Sequence, residues 1–99
     1  MNVVLTDELK KYLRKKNRRS ISIKIRKVER GGVGSVQELD VVYNQVPDDI
    51  EKYNHYKIDR YDIYVICNLK VKNNELKLSV KRSPLLIKEL DIQGVDLRL

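Results

Sequence analysis

Tryptophan and phenylalanine are absent from these 99 residues, and cysteine, histidine and methionine occur once each. A single cysteine, Cys67, can form no internal disulfide and gives no sign of an oxidising compartment. With one histidine, His55, no Ser/His/Asp relay can be argued from residue order alone. Long apolar runs are missing too. Runs such as Leu85-Leu86-Ile87 fall far short of the roughly 20 residues of a membrane span. The opening stretch, Met1-Asn2-Val3-Val4-Leu5-Thr6-Asp7, lacks the charged start and apolar core of a secretory signal, so a cytoplasmic protein is expected. There is no repeat, low-complexity segment or linker, and the length suits one domain over 1–99. A chain this short has little room for a deep, water-excluding active site, so no enzyme activity is expected.

What is plentiful is charge. Charged residues make up 35% and apolar residues 41% of the chain, the balance of a folded, soluble domain. The formal net charge is +7 and unevenly spread. Residues 1–30 hold eleven basic and three acidic side chains, while 31–99 hold ten basic and eleven acidic. Such asymmetry points to an anionic partner at one end of the molecule.

Thr6 is placed to cap a helix whose first residues, Asp7 and Glu8, suit the positive end of its dipole. Leu9, Tyr12 and Leu13 supply an apolar stripe, and the spacing predicts an amphipathic helix over 7–17. Lys10, Arg14 and Arg18 form one outer row; Lys11, Lys15 and Arg19 form another. Like charges at i, i+4 cost a few tenths of a kcal/mol per pair, so these six cations oppose the helix slightly. The period then changes from 3.6 to 2: Ile21, Ile23 and Ile25 predict a strand that ends or bulges at Val28. Gly31, Gly32, Val33 and Gly34 read as a flexible loop, and Leu39, Val41 and Tyr43 as a second strand. Pro47-Asp48-Asp49 opens a turn, 56–58 is a short strand, and Asp59-Arg60 is a tight turn. Residues 61–67 form the strongest strand, with Ile63, Val65 and Cys67 on one face. Asn73-Asn74 predicts a hairpin turn between 69–71 and 76–80. Residues 85–92 and 95–99 read as further strands, broken at Gly94. The class is α+β and mainly β.

The helix following Leu5-Thr6-Asp7, the strand 21–28, the loop Gly31-Gly32-Val33-Gly34, the strand Tyr56-Lys57-Ile58-Asp59-Arg60-Tyr61-Asp62-Ile63-Tyr64-Val65 and the segment Gly94-Val95-Asp96-Leu97 resemble the HesB/IscA-like family of iron–sulfur cluster biogenesis. The resemblance implies two small packed β-sheets beside an N-terminal helix, and often a homodimer. It also implies a loop cysteine and a C-terminal Cys-x-Cys pair. Val33 stands at what looks like the loop position, Arg60 where a glycine is usual, and no C-terminal cysteines follow. A cluster needs several thiolates, so the resemblance implies a scaffold without its cofactor, and neither iron–sulfur cluster nor iron is expected.

Cys67 reads as a small buried hydrophobe rather than a reactive thiol or metal ligand, and His55 as a surface or loop residue; both are weak metal candidates. The glycine loop lacks the Lys-Ser/Thr and helix of a phosphate loop. Asp48, Asp49 and Glu51 lack calcium-loop spacing and read as a solvated turn. The strongest functional signal is therefore the cationic set Lys10, Lys11, Arg14, Lys15, Arg18 and Arg19. An accessory protein that docks an acidic protein partner is the expected function. A nucleic-acid module working through 10–30, its tyrosines stacking on bases, is the second reading. An iron or cluster carrier using Cys67 across a dimer is the third. A membrane surface fits less well, because the helix offers only Leu9, Tyr12 and Leu13 for insertion.

Overall fold

The computed structural model describes residues 1–32 and 34–98. The chain is mainly β, with seven strands, one α-helix and two single 3₁₀ turns among the described residues, and its strands form two small sheets. It divides into two compact units, Met1–Arg18 with Val71–Val95 and Arg19–Lys70 with Asp96–Leu99.

The first unit opens with a strand absent from the sequence reading, β1 (Asn2–Leu5). It leads directly into α1 (Asp7–Lys15). The Thr6 hydroxyl accepts from the Leu9 amide at 3.2 Å, satisfying one of the helix's orphan donors. α1 stops two residues before the expected Asn17. Asn17 adopts φ 59, the Arg18 amide reaches back to the Leu13 carbonyl at 2.8 Å, and the Asn17 amide reaches the Arg14 carbonyl at 3.1 Å. These two bonds make a Schellman close, in which asparagine takes the left-handed position that glycine usually fills. The helix is held by its apolar stripe: Leu9 and Leu13 are 0% and 1% exposed, and the helix packs on β6 (Glu75–Arg82). Burying each leucine stabilises the unit by roughly 1.5–3 kcal/mol.

β6 is the central strand of this sheet, with β1 parallel on one side and β7 (Lys88–Gln93) antiparallel on the other. Leu76 and Leu78, two residues apart on one face of β6, are fully buried. The expected hairpin between 69–71 and 76–80 does not form. Lys72–Asn74 make a 3₁₀ turn in which Asn73 and Asn74 both have φ 55, and the turn joins no two paired strands. The true hairpin is β6–β7, closed by residues 83–87. This also corrects the strand expected over 85–92, which begins only at Lys88, and the strand over 95–99, of which Val95 makes a single bridge to Val71.

In the second unit the order is β3 (Gly34–Tyr43), β2 (Ser20–Arg30), β5 (Tyr61–Ile66) and β4 (Tyr53–Ile58). β2 runs parallel to β5 and antiparallel to β3. Ile21, Ile23, Ile63 and Val65 are buried to 1% exposure or less, as their alternation requires. β2 neither ends nor bulges at Val28: the register with β3 continues unbroken through Val28↔Val36 to Arg30↔Gly34. Beyond Ile23 this ribbon contains no fully buried residue, so no core face forces the side chains to alternate and the polar pattern says nothing about pairing. Gly31, Gly32 and Gly34 lie at the hairpin end of this ribbon, with Gly32 at φ 79 and Gly34 at φ 80; Val33, read with them as a flexible loop, lies outside the described residues.

Candidate functional site

The cations read as two helical rows are sorted differently by the fold. Lys10, Lys11, Arg14 and Lys15 lie on α1. Arg18 and Arg19 do not, because the left-handed Asn17 ends the helix before them. Arg18 turns back onto Tyr12, its Nη1 donating to the phenol oxygen at 3.4 Å and its guanidinium 5.8 Å from the ring centre. Arg19 belongs to the second unit, where its amide donates to Asn44 Oδ1 at 2.7 Å.

The strand cations are largely answered. Lys24 lies 3.7 Å from Asp40, while Arg26 and Arg30 both engage Glu38. Hydrogen bonds from Arg26 and then Arg30 hold the Glu38 carboxyl below its ordinary range. The excess positive charge is therefore carried by the first unit, whose segments hold eleven basic and five acidic side chains against ten and nine in the rest of the chain. It is not distributed along 10–30 as the sequence order suggested.

Within the first unit, a groove of about 330 Å³ is lined by Glu8, Lys11, Tyr12, Lys15, Lys16, Ile87 and Lys88. Lys11 and Lys15 come from one edge of α1, Lys16 from its cap, Ile87 from the end of the 83–87 turn and Lys88 from the start of β7. Among the described residues none of these four lysines has an ion-pair partner. Lys16, Ile87 and Lys88 were missed as site residues. Lys88 is far from the helix in sequence, and only the β6–β7 hairpin brings it alongside. Leu9 and Leu13, buried against the sheet, take no part in this surface.

The weak metal candidates are not brought together. Cys67 is exposed, which corrects the expectation of a buried small hydrophobe. β5 ends at Ile66, and the Leu69 amide bonds the Ile66 carbonyl at 3.2 Å, so the chain turns before Cys67 can continue the face of Ile63 and Val65. His55 sits at the surface on β4, stacked on Tyr64 with ring centres 4.6 Å apart. Its Nε2 lies 2.7 Å from Asp62 Oδ1, with Lys57 Nζ 3.7 Å from the same oxygen. This His–Asp pair was invisible in the sequence, because the two residues meet only across the β4–β5 pairing. The Ser22 hydroxyl is buried and donates to the Gln45 carbonyl at 3.1 Å, so it is not held by His55. No group of three or more His, Cys, Asp or Glu side chains able to hold a metal occurs among the described residues.

Asp48 and Asp49 line a second cavity of about 200 Å³ with Ser22, Lys24 and Tyr53. Burial, followed by the charges of Asp49 and Asp40, raises the Tyr53 phenol above its ordinary value of 10.0. No helix among the described residues is long and apolar enough to cross a membrane.

A family model described as the CC/Se motif containing family matches residues 1–95. The chain belongs to that family. This overturns the HesB/IscA-like resemblance and the iron–sulfur association drawn from it. The helix, glycine loop and short strands that carried the resemblance are elements many small β proteins share, and the hairpin expected between 69–71 and 76–80 gives way to one between β6 and β7. No curated protein and no solved structure matches.

Proposed function

We propose that this protein is a non-catalytic binding protein that docks an acidic protein partner in the groove between α1 and the start of β7. The observation that carries the reading is the convergence of Lys11, Lys15, Lys16 and Lys88 around Tyr12 and Ile87, with Glu8 the one acid among them. Four lysines held together without carboxylate partners cost the fold some self-repulsion, most directly between Lys11 and Lys15 at i, i+4. A partner that brings carboxylates relieves that repulsion, while an apolar side chain of the same partner covers Tyr12 and Ile87. The nucleic-acid reading is weakened by the engagement of Lys24, Arg26 and Arg30 with acids on β3, since these are three of the eleven basic side chains of the expected phosphate-binding stretch 10–30.

The test is amide chemical-shift mapping with an acidic amphipathic peptide and, separately, a DNA duplex, each at low and moderate salt. We expect the peptide to shift Lys11, Tyr12, Lys15, Ile87 and Lys88 together. Reversing two lysines, Lys11→Glu with Lys15→Glu, is expected to weaken peptide binding roughly tenfold or more. Shifts confined to another surface, or tighter binding of DNA that ignores the two reversals, would overturn the proposal.

A further inference from the structure

The tip of the β6–β7 hairpin exposes three consecutive large aliphatic residues. Leu85, Leu86 and Ile87 are 80%, 75% and 60% exposed, more than most large hydrophobic side chains in a protein of this size would be left. Their display is also conformationally costly. Leu86 sits at φ 61, a left-handed backbone that a bulky side chain rarely adopts. The tip is nonetheless ordered by Ser83. Its amide donates to the Ile87 carbonyl at 2.9 Å, its carbonyl accepts from the Leu86 amide at 2.8 Å, and its hydroxyl accepts from the Leu85 and Ile87 amides at 3.3 Å each. A serine thus shapes a turn whose result is to hold leucines out in water. At the base of the same hairpin stand Lys81, Arg82 and Lys88, all exposed, with Arg82 opposite Lys88 in the ladder.

We propose that this tip is an insertion point for an anionic lipid surface. It is a further binding activity beyond the groove: Ile87 is common to both, but Leu85 and Leu86 form no part of the groove. Three features favour a bilayer over a protein surface. The apolar group protrudes from a hairpin instead of lining a cleft, so it needs a soft medium to enter. It is purely aliphatic, whereas anchors at protein interfaces are enriched in tryptophan, tyrosine and arginine, and leucine is under-represented among them. It is collared by cations within a unit of strong positive excess, the arrangement that draws apolar side chains to anionic headgroups. The helix supplies no apolar insertion, since Leu9 and Leu13 are buried, and the hairpin tip takes that role.

The experiment is sedimentation of the full chain with phosphatidylcholine vesicles, with and without phosphatidylglycerol. The chain has no tryptophan, so Leu85→Trp installs a single fluorescent reporter at the tip. We expect binding to the phosphatidylglycerol vesicles only, weakened by salt, with a blue shift of the Leu85→Trp emission. The pair Leu85→Ser and Leu86→Ser should reduce partitioning by roughly tenfold or more per leucine, because each forfeits the burial of a large aliphatic side chain. Both positions are exposed, so the fold is expected to persist, and circular dichroism checks this. Absence of binding to either vesicle overturns the proposal. So does binding that the serine substitutions leave unchanged, which would assign it to the lysines alone. A purified protein partner lost through the serine pair, with no vesicle binding, would overturn it in favour of protein docking.

Discussion

Gly94→Ala is expected to be the most damaging single methyl that can be added to a glycine of this chain. Gly94 has φ +98, and a Cβ built there falls 2.3 Å from the Glu75 carbonyl oxygen, with the Glu75 carbonyl carbon at 3.5 Å and Leu76 Cα at 3.8 Å. The obstacle is backbone, so no side chain can swing away. Relief requires moving the end of β7 off the start of β6, where Leu76 is fully buried and Gly94 accepts a bond from the Lys72 amide at 2.7 Å. The left-handed conformation costs an alanine about 1–2 kcal/mol, and the displaced backbone at least a comparable amount. A loss of about 3 kcal/mol follows, a large part of the 5–15 kcal/mol by which domains are usually stable. Gly31→Ala is the internal control: nothing lies within 4 Å of its added methyl and its φ is not positive. Reduced freedom of the unfolded chain should leave that variant unchanged or more stable by about 0.4–1 kcal/mol. Urea unfolding followed by far-ultraviolet circular dichroism measures both. If Gly94→Ala proved as stable as Gly31→Ala, the close approach of β6 and residue 94 would be wrong.

Two further outcomes follow from other parts of the molecule. Leu13→Ala removes a fully buried side chain from α1 and is expected to destabilise by about 2–5 kcal/mol in the same urea assay, whereas Arg14→Ala, exposed one residue along, should change little. Tyr53 has a phenol raised above 10.0, so its neutral form is favoured by the fold: that contribution is complete below the ordinary value and is lost as pH rises through the folded one. Urea midpoints of wild type and Tyr53→Phe, compared at neutral pH and above pH 10.0, should therefore show wild type losing ground to the variant only on the alkaline side, and parallel curves would refute the shift.

What could be read from residue order was whatever local chemistry determines. The Thr6 cap, the Leu9–Leu13 stripe, the Asp59-Arg60 turn and the buried alternation of Ile21, Ile23, Ile63 and Val65 each depend on neighbours a few positions away, and each stands where it was expected. The mainly β class followed from them. The sheet partners did not. β1 is four residues long and finds its place only as a parallel neighbour of β6, a pairing across about seventy residues that no short-range pattern encodes. The same limit hid the site. Asn17 folded Arg18 and Arg19 away from the helical rows, the β2–β3 ladder placed Glu38 and Asp40 beside the strand cations, and the β6–β7 hairpin brought Lys88 and Ile87 to α1. Leu85-Leu86-Ile87 looked like the start of a strand because apolar residues are most often there to be buried; Ser83 and the left-handed Leu86 instead turn the chain and leave them exposed. The amount of charge and apolar surface was decided by the sequence. Which charges meet an opposite partner, and which apolar groups meet water, was decided by contacts between distant segments, because those depend on where the strands pair.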